Sequence, residues 1–99
     1  MALYDTAMIQ SFKCKETAAL FSGARVARFV NFQGVAERKL AMLHRAVTIE
    51  DLRVPPNNRL EKLSGDRAGQ WSIRINNQWR VCFDWRDGQA WQVEIVDYH

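Results

Sequence analysis

The chain is poor in the residues that staple, ligate or span. It has two cysteines, two histidines and two prolines in 99 residues. Cys14 and Cys82 stand far apart with no C-x-x-C pair, which excludes a disulfide scaffold and a cysteine-rich zinc site. Free thiols in a reducing cytosol are the natural reading. His44 and His99 are equally remote from each other, and Asp84, Asp87, Glu94 and Asp97 are scattered, so no metal-ligand spacing emerges. No wholly apolar run exceeds four residues, as in Ala18-Ala19-Leu20-Phe21, against the ~20 of a membrane helix. The opening residues lack the layout of a signal peptide. Neither G-x-x-x-x-G-K-[ST] nor G-x-G-x-x-G occurs, which removes support for phosphate-loop nucleotide binding. No repeat of 20–50 residues and no low-complexity segment is visible.

What is present describes an ordinary globule with one core. Apolar residues make up 47% and charged residues 25%, and a chain of this length buries roughly 65% of its unfolded surface. The net charge is +3, which permits an anionic partner without naming one. Its makeup says more: ten arginines stand against four lysines, and Arg is the side chain suited to forked contacts with phosphate or carboxylate. Up to Glu50 there are seven basic and four acidic residues; beyond it, seven of each.

Residues 1–7 read as a leader or added extension, with Met8 a possible start, and 8–99 as a single domain. The alternation after Ile9 predicts a short strand to Cys14. Glu16 to Phe21 is a helical scrap ended by Ser22-Gly23. Val35, Ala36, Leu40, Met42, Leu43 and Val47 fall near helical spacing, which predicts an amphipathic helix from Gly34 to Ala46. Its gaps hold Arg38, Lys39 and Arg45, a solvated face or a partner face. Thr48-Ile49-Glu50-Asp51 resembles a capping box opening one more turn, and Val54-Pro55-Pro56-Asn57-Asn58 stops regular structure. Strands follow at Leu60–Leu63, Gln70–Ile75, Trp79–Trp85 and Gln89–Tyr98. The expectation is an α+β domain: an N-terminal strand, and two to three helices packed on one face of an antiparallel sheet.

Register sharpens the second half. A three-residue loop Asn76-Asn77-Gln78, with an Asn in the left-handed region, sets Ile75, Ile73 and Trp71 opposite Trp79, Val81 and Phe83. On the other face it sets Arg74 opposite Arg80, a like-charge pair that destabilises by up to about 1 kcal/mol and that a bound anion would relieve. A three-residue loop Arg86-Asp87-Gly88 puts Glu94 opposite Arg80, which offers the plain alternative of a surface ion pair. The four tryptophans (Trp71, Trp79, Trp85, Trp91) all fall on the core face. Tyr98 shares the face of Arg74 and Arg80 and could stack on a base or cap the sheet edge. His99 titrates near neutrality and could move a proton, or simply fray. Arg67, between glycines in Gly65-Asp66-Arg67-Ala68-Gly69, could approach a phosphate, although the glycines are accounted for by the turn. With Arg59, Lys62 and Trp71 these residues form a basic, aromatic patch if the loop folds over the sheet.

Val35-Ala36-Glu37-Arg38-Lys39-Leu40-Ala41-Met42-Leu43, Asn58 to Gln70 with its G-D-R-x-G, Trp71-Ser72-Ile73-Arg74-Ile75-Asn76, Gln78-Trp79-Arg80-Val81-Cys82-Phe83 and Val93-Glu94-Ile95-Val96-Asp97-Tyr98-His99 together resemble the HigB toxins. The likeness is greatest to GraT-type members of the RelE/ParE superfamily and runs from Met8 to His99. The resemblance implies a cytoplasmic prokaryotic type II toxin, a metal-independent and cofactor-free endoribonuclease that cuts mRNA on the ribosome. It implies a helix-turn-helix HigA-type antitoxin, contact with operator DNA only through that antitoxin, and no membrane. By position, Arg80 matches the phosphate-stabilising arginine, Asp97, Tyr98 and His99 the C-terminal catalytic trio, and Arg74 a second basic position. Where some members carry a His and a Lys before the loop, this chain has Glu61 and Ser64. Glu61 then stands in as base with Lys62 and Arg67 nearby, and a slower toxin is expected. The rival reading within the superfamily is a ParE-like gyrase inhibitor that cuts nothing. A decayed toxin kept as operon co-regulator is the third.

Overall fold

The computed structural model describes residues 9–98; Met1–Met8 and His99 lie outside them. Alternating segments pair into a four-stranded antiparallel sheet ordered β1 (Glu61–Lys62), β2 (Gln70–Arg74), β3 (Trp79–Arg86) and β4 (Gln89–Asp97). Two helices, α1 (Lys15–Phe21) and α2 (Gln33–Arg45), pack against one face of it. Short 3₁₀ turns at Ala27–Phe32, Ile49–Arg53, Pro56–Asn58 and Gly65–Arg67 complete the α+β architecture. No helix among the described residues is long and apolar enough to cross a membrane.

The helices form where apolar spacing meets a stop signal. On α2, Ala36, Leu40 and Leu43 recur one and two turns apart and are fully buried against Ile73, Val81, Phe83 and Ile95, the stripe an amphipathic helix turns to its core. Lys39 lies on the same face. It is buried rather than solvated, with its Nζ donating to Asn58 Oδ1 at 2.5 Å. Val47, read as part of the apolar stripe, is exposed because the helix ends at Arg45 and Ala46 is already extended. Thr48 and Asp51 close the expected capping box. The Val47 and Thr48 amides donate to Asp51 Oδ2 at 2.9 and 3.1 Å. Those backbone bonds hold the Asp51 carboxyl below the usual carboxylate range. The stretch read as wholly irregular contains the turn Pro56–Asn58, and Asn58 is completely buried.

Asn58 is the hub of that turn. Its amide nitrogen donates to the carbonyls of Leu52 (3.0 Å) and Val54 (3.4 Å), and its oxygen accepts from Lys39. Burial pushes the Lys39 ammonium below its ordinary pKa, with repulsion from Arg38 and Arg74 adding to it.

The β2–β3 hairpin has the expected register: Trp71 faces Phe83, Ile73 faces Val81, and Arg74 faces Arg80. Its turn is built differently. None of the three loop residues has a positive φ; instead Asn76 Oδ1 accepts from the amides of both Gln78 and Trp79 at 2.8 Å, a side-chain mimic of a turn.

The β3–β4 hairpin departs from expectation. Arg86 pairs with Gln89, so the loop is the two residues Asp87-Gly88, with φ of 55° and 74°. Positive φ at both positions matches the twist of paired strands. The register then slips between Cys82↔Glu94 and Asp84↔Trp91, and Gln92 at φ 53° takes up the extra residue. Such a bulge reverses which side chains face the core. Ala90, Val93 and Ile95 are the buried ones. Trp91 moves to the opposite face, 4.6 Å beneath the Arg86 guanidinium, while Trp71, Trp79 and Trp85 pack against the core. The slip also puts Glu94 opposite Cys82, not Arg80.

The bulge serves the N-terminal segment. Ile9 and Phe12 form isolated parallel bridges to Ala90 and Val93, in place of a continuous first strand. Ser11 uses its hydroxyl and carbonyl to accept from the Gln92 and Val93 amides at 2.9 and 3.0 Å.

Candidate active site

The opposed arginines are the starting point. Two cations facing each other across paired strands must each find a partner or move apart. Arg74 turns along its strand, its NH2 donating to Asn77 Oδ1 in the hairpin loop. Arg80 turns the other way and is gripped by its fork: Nε donates to Ser72 Oγ at 2.7 Å and NH2 to the Arg59 carbonyl at 2.6 Å. Arg59 can present that carbonyl because it sits in the left-handed region, φ 47°, just after Asn58. The nearest carboxylate to Arg80 is Glu61 Oε1, 3.7 Å from NH2. Glu61 is exposed, and a solvated pair at that distance contributes little to stability. The expected Arg80–Glu94 pair is absent; Glu94 instead lies 3.5 Å from Arg67.

Between the diverging side chains lies an open cleft of about 270 Å³, lined among the described residues by Arg59, Arg74, Asn76, Asn77, Arg80 and Tyr98. The Tyr98 ring is 5.6 Å from the Arg80 guanidinium carbon, within cation–π range. Three arginines, two asparagines and a tyrosine thus line one concavity. This composition suits a phosphodiester with its attached base.

Four of the nine residues singled out from sequence meet in this cleft: Arg59, Arg74, Arg80 and Tyr98. Glu61 reaches it through Arg80. Arg67 does not; its NH1 donates to Gln70 at 3.0 Å, and it lines a neighbouring depression with Lys13, Asp66, Ala68, Gln70 and Asp84. Lys62 pairs with Trp71 across the strands and sits 5.6 Å over its ring, on the helix side of the sheet. Asp97 pairs with Trp79 and shares that side; its Oδ2 accepts from Gln78 Nε2 at 3.0 Å. His99 lies outside the described residues. Reasoning from sequence missed Asn76 and Asn77 as cleft walls and Ser72 as the seat of Arg80. The alternation did hold a signal for Ser72, which lies on the Arg74 face opposite Cys82.

Beneath the cleft, Ser72 and Cys82 are fully buried, and burial pushes the Cys82 thiol above its ordinary pKa. It is a packing residue, not a nucleophile. Among the described residues no three His, Cys, Asp or Glu side chains stand close enough to share a metal ion.

Comparison with known proteins places the chain in a defined group. A family model described as the RelE-like toxin of the type II toxin–antitoxin system HigB matches residues 10–99. Endoribonuclease HigB of Proteus vulgaris is 35% identical over 94 residues, covering 93% of this chain and 100% of that protein. Toxin HigB-1 of Vibrio cholerae is 51% identical over 53 residues, covering 54% of this chain and 56% of that protein, so the match spans only about half of that relative. An uncharacterised protein of Haemophilus influenzae is 37% identical over 60 residues, covering 61% of this chain and 59% of its own length.

Proposed function

The chain belongs to the HigB-like family of RelE-like toxins from type II toxin–antitoxin systems, and from that premise we propose that it is an endoribonuclease that cuts mRNA on the ribosome and is neutralised by a HigA-type antitoxin. The observation that carries this reading is the cleft that gathers Arg59, Arg74, Arg80 and Tyr98, with Arg80 held in advance by Ser72 and the Arg59 carbonyl.

The chemistry asked of it is transesterification. The ribose 2′-oxygen attacks the adjacent phosphorus, the P–O5′ bond breaks, and a 2′,3′-cyclic phosphate and a 5′-hydroxyl result. One group must take the 2′ proton and another must give a proton to the departing 5′-oxygen. Arg80 supplies fixed positive charge where the phosphorane becomes dianionic. Its fork is already aligned, so no reorganisation is needed at the moment of reaction. Arg74 and Arg59 hold flanking phosphate oxygens, and Tyr98 stacks on the adjoining base. Glu61, beside Arg80, and His99 carry the two protons in this scheme. Asp97 orients the end of β4. Lys62 and Arg67 have no place in it, the first because it faces the helices and the second because it is engaged by Glu94 and Gln70. In the cytoplasm the partners are the ribosome with its mRNA and the antitoxin, with operator DNA reached only through the antitoxin.

Primer extension on a translated message tests this, with wild type beside Arg80→Ala and a chain truncated after Asp97. Cleavage within codons by wild type, lost in both variants, is expected. Absence of cleavage, or equal cutting by all three, defeats the assignment. A supercoiling assay with DNA gyrase addresses the rival ParE-like reading. Harmless overexpression would point to a toxin retained only for regulation.

A further inference from the structure

The β2–β3 turn grips the end of β4 at two points, both through Gln78. The Gln78 carbonyl accepts from the Tyr98 amide at 2.6 Å, and its side-chain Nε2 donates to Asp97 Oδ2 at 3.0 Å. The ladder between β3 and β4 reaches its last pair at Trp79↔Asp97. Past that pair, this clamp is what carries the order of the strand on to Tyr98. The turn is held by its own side chains: Asn76 Oδ1 accepts from the Gln78 and Trp79 amides, and Asn77 accepts from Arg74. One loop therefore sets Arg74 through Asn77 and the β4 terminus through Gln78.

We infer that Gln78 is a positioning residue that seats the Tyr98 ring over Arg80 by holding the Asp97–Tyr98 backbone against the hairpin turn. The inference rests on the endoribonuclease reading for its kinetic consequence, but not for its structural one. Gln78 is not among the residues that line the cleft; it acts through the residues it holds. Its side chain is matched to the task, because a neutral amide donor satisfies a carboxylate without adding charge beside the arginines. Replacing that donor by a carboxylate of the same shape sets two negative groups at hydrogen-bond distance, which is repulsive.

Gln78→Glu and Gln78→Ala in the full chain test this. The side chain is at the surface, where such changes leave folding intact. Hydrogen exchange of the Tyr98 amide reports the clamp without any substrate. It should quicken about tenfold in Gln78→Glu and less in Gln78→Ala. In the ribosome-bound mRNA assay, the maximal cleavage rate constant should fall about tenfold in Gln78→Glu, with the half-saturating toxin concentration changed less than about twofold. A variant acting only on global stability would move the melting temperature and speed exchange at core amides such as Val81 and Ile95 as well. Unchanged Tyr98 exchange in Gln78→Glu overturns the inference, as does exchange that quickens equally at Val81. If wild type cuts no message but Tyr98 exchange quickens as stated, the clamp stands and the endoribonuclease reading falls. If Gln78→Glu lowers the melting temperature markedly, Gln78→Ala, which adds no charge, decides by the same exchange criterion.

Discussion

Replacing Asn58 by alanine should be among the most damaging single changes in this chain, although no charge or large apolar group is lost. Asn58 is fully buried. The alanine would strip the Leu52 and Val54 carbonyls of donors now at 3.0 and 3.4 Å, and strip the Lys39 ammonium of the oxygen 2.5 Å away. Each neutral bond is worth about 1 kcal/mol net, and a buried charged group left without its partner costs about 1.5–3 kcal/mol. Together these give about 3–5 kcal/mol. For a domain near 100 residues, 1 kcal/mol moves the midpoint by roughly 4–8 °C, so thermal unfolding should drop by roughly 12–40 °C. Lys39→Met should cost only about 1–2 kcal/mol: it leaves Asn58 Oδ1 unpaired but removes an ammonium that burial and two arginines disfavour. The double variant should therefore lose well less than the sum of the two single losses, with a coupling of at least about 1 kcal/mol in a double-mutant cycle by urea unfolding. The sign with pH follows. Lys39 titrates below its unfolded value of 10.5, so its burial penalty is present below the folded pKa and relieved as pH rises toward 10.5. Wild type should gain stability across that window relative to Lys39→Met. An Asn58→Ala protein within 1 kcal/mol of wild type, or strictly additive losses, would refute the reasoning.

Arg80→Lys keeps the charge but not the fork that reaches Ser72 and the Arg59 carbonyl together. Single-turnover cleavage should slow about 10²–10³-fold, with melting little changed; near-wild-type cutting would mean that charge alone suffices. Asp51 titrates below its usual value through the Thr48 and Val47 amides, so its stabilisation is complete above the ordinary carboxylate pKa of 3.8 and lost as pH falls through the lower folded value. Asp51→Asn should thus melt below wild type at neutral pH, with the gap closing in strong acid; a gap constant across pH in paired melts would contradict the capping role.

How far the fold could be read depended on how local its causes are. The helix over α2 and the β2–β3 register were legible because Ala36, Leu40 and Leu43, and then Trp71, Ile73, Val81 and Phe83, repeat at the period of their element. The same register places Arg74 opposite Arg80. The second hairpin was misread because Arg86-Asp87-Gly88 admits two loop lengths. An Asp-Gly turn followed by a bulge at Gln92 restores apolar pairing that a three-residue loop seemed to supply without one. Trp91 and Glu94 were placed wrongly for this single reason. Lys39 looked solvated because its partner Asn58 lies 19 positions away, beyond the reach of periodicity. Arg59 joined the patch correctly, but its carbonyl, which grips Arg80, is a backbone feature invisible in a list of side chains.

The pairing of residues 9–13 with β4 has a temporal meaning. Its bonds join positions 80 to 82 apart in the chain, from Gln10 to Ala90 and from Ser11 to Gln92 and Val93, so a polypeptide emerging from its own ribosome, at about 5–20 residues per second, displays that segment long before the strand that receives it. Closure over so long a loop is slow compared with helix formation. Tyr98 arrives on the same strand. The event that seals the apolar core and the event that completes the arginine cleft are thus one and the same, and a partly made chain carries its arginines without the pocket that gives them a use.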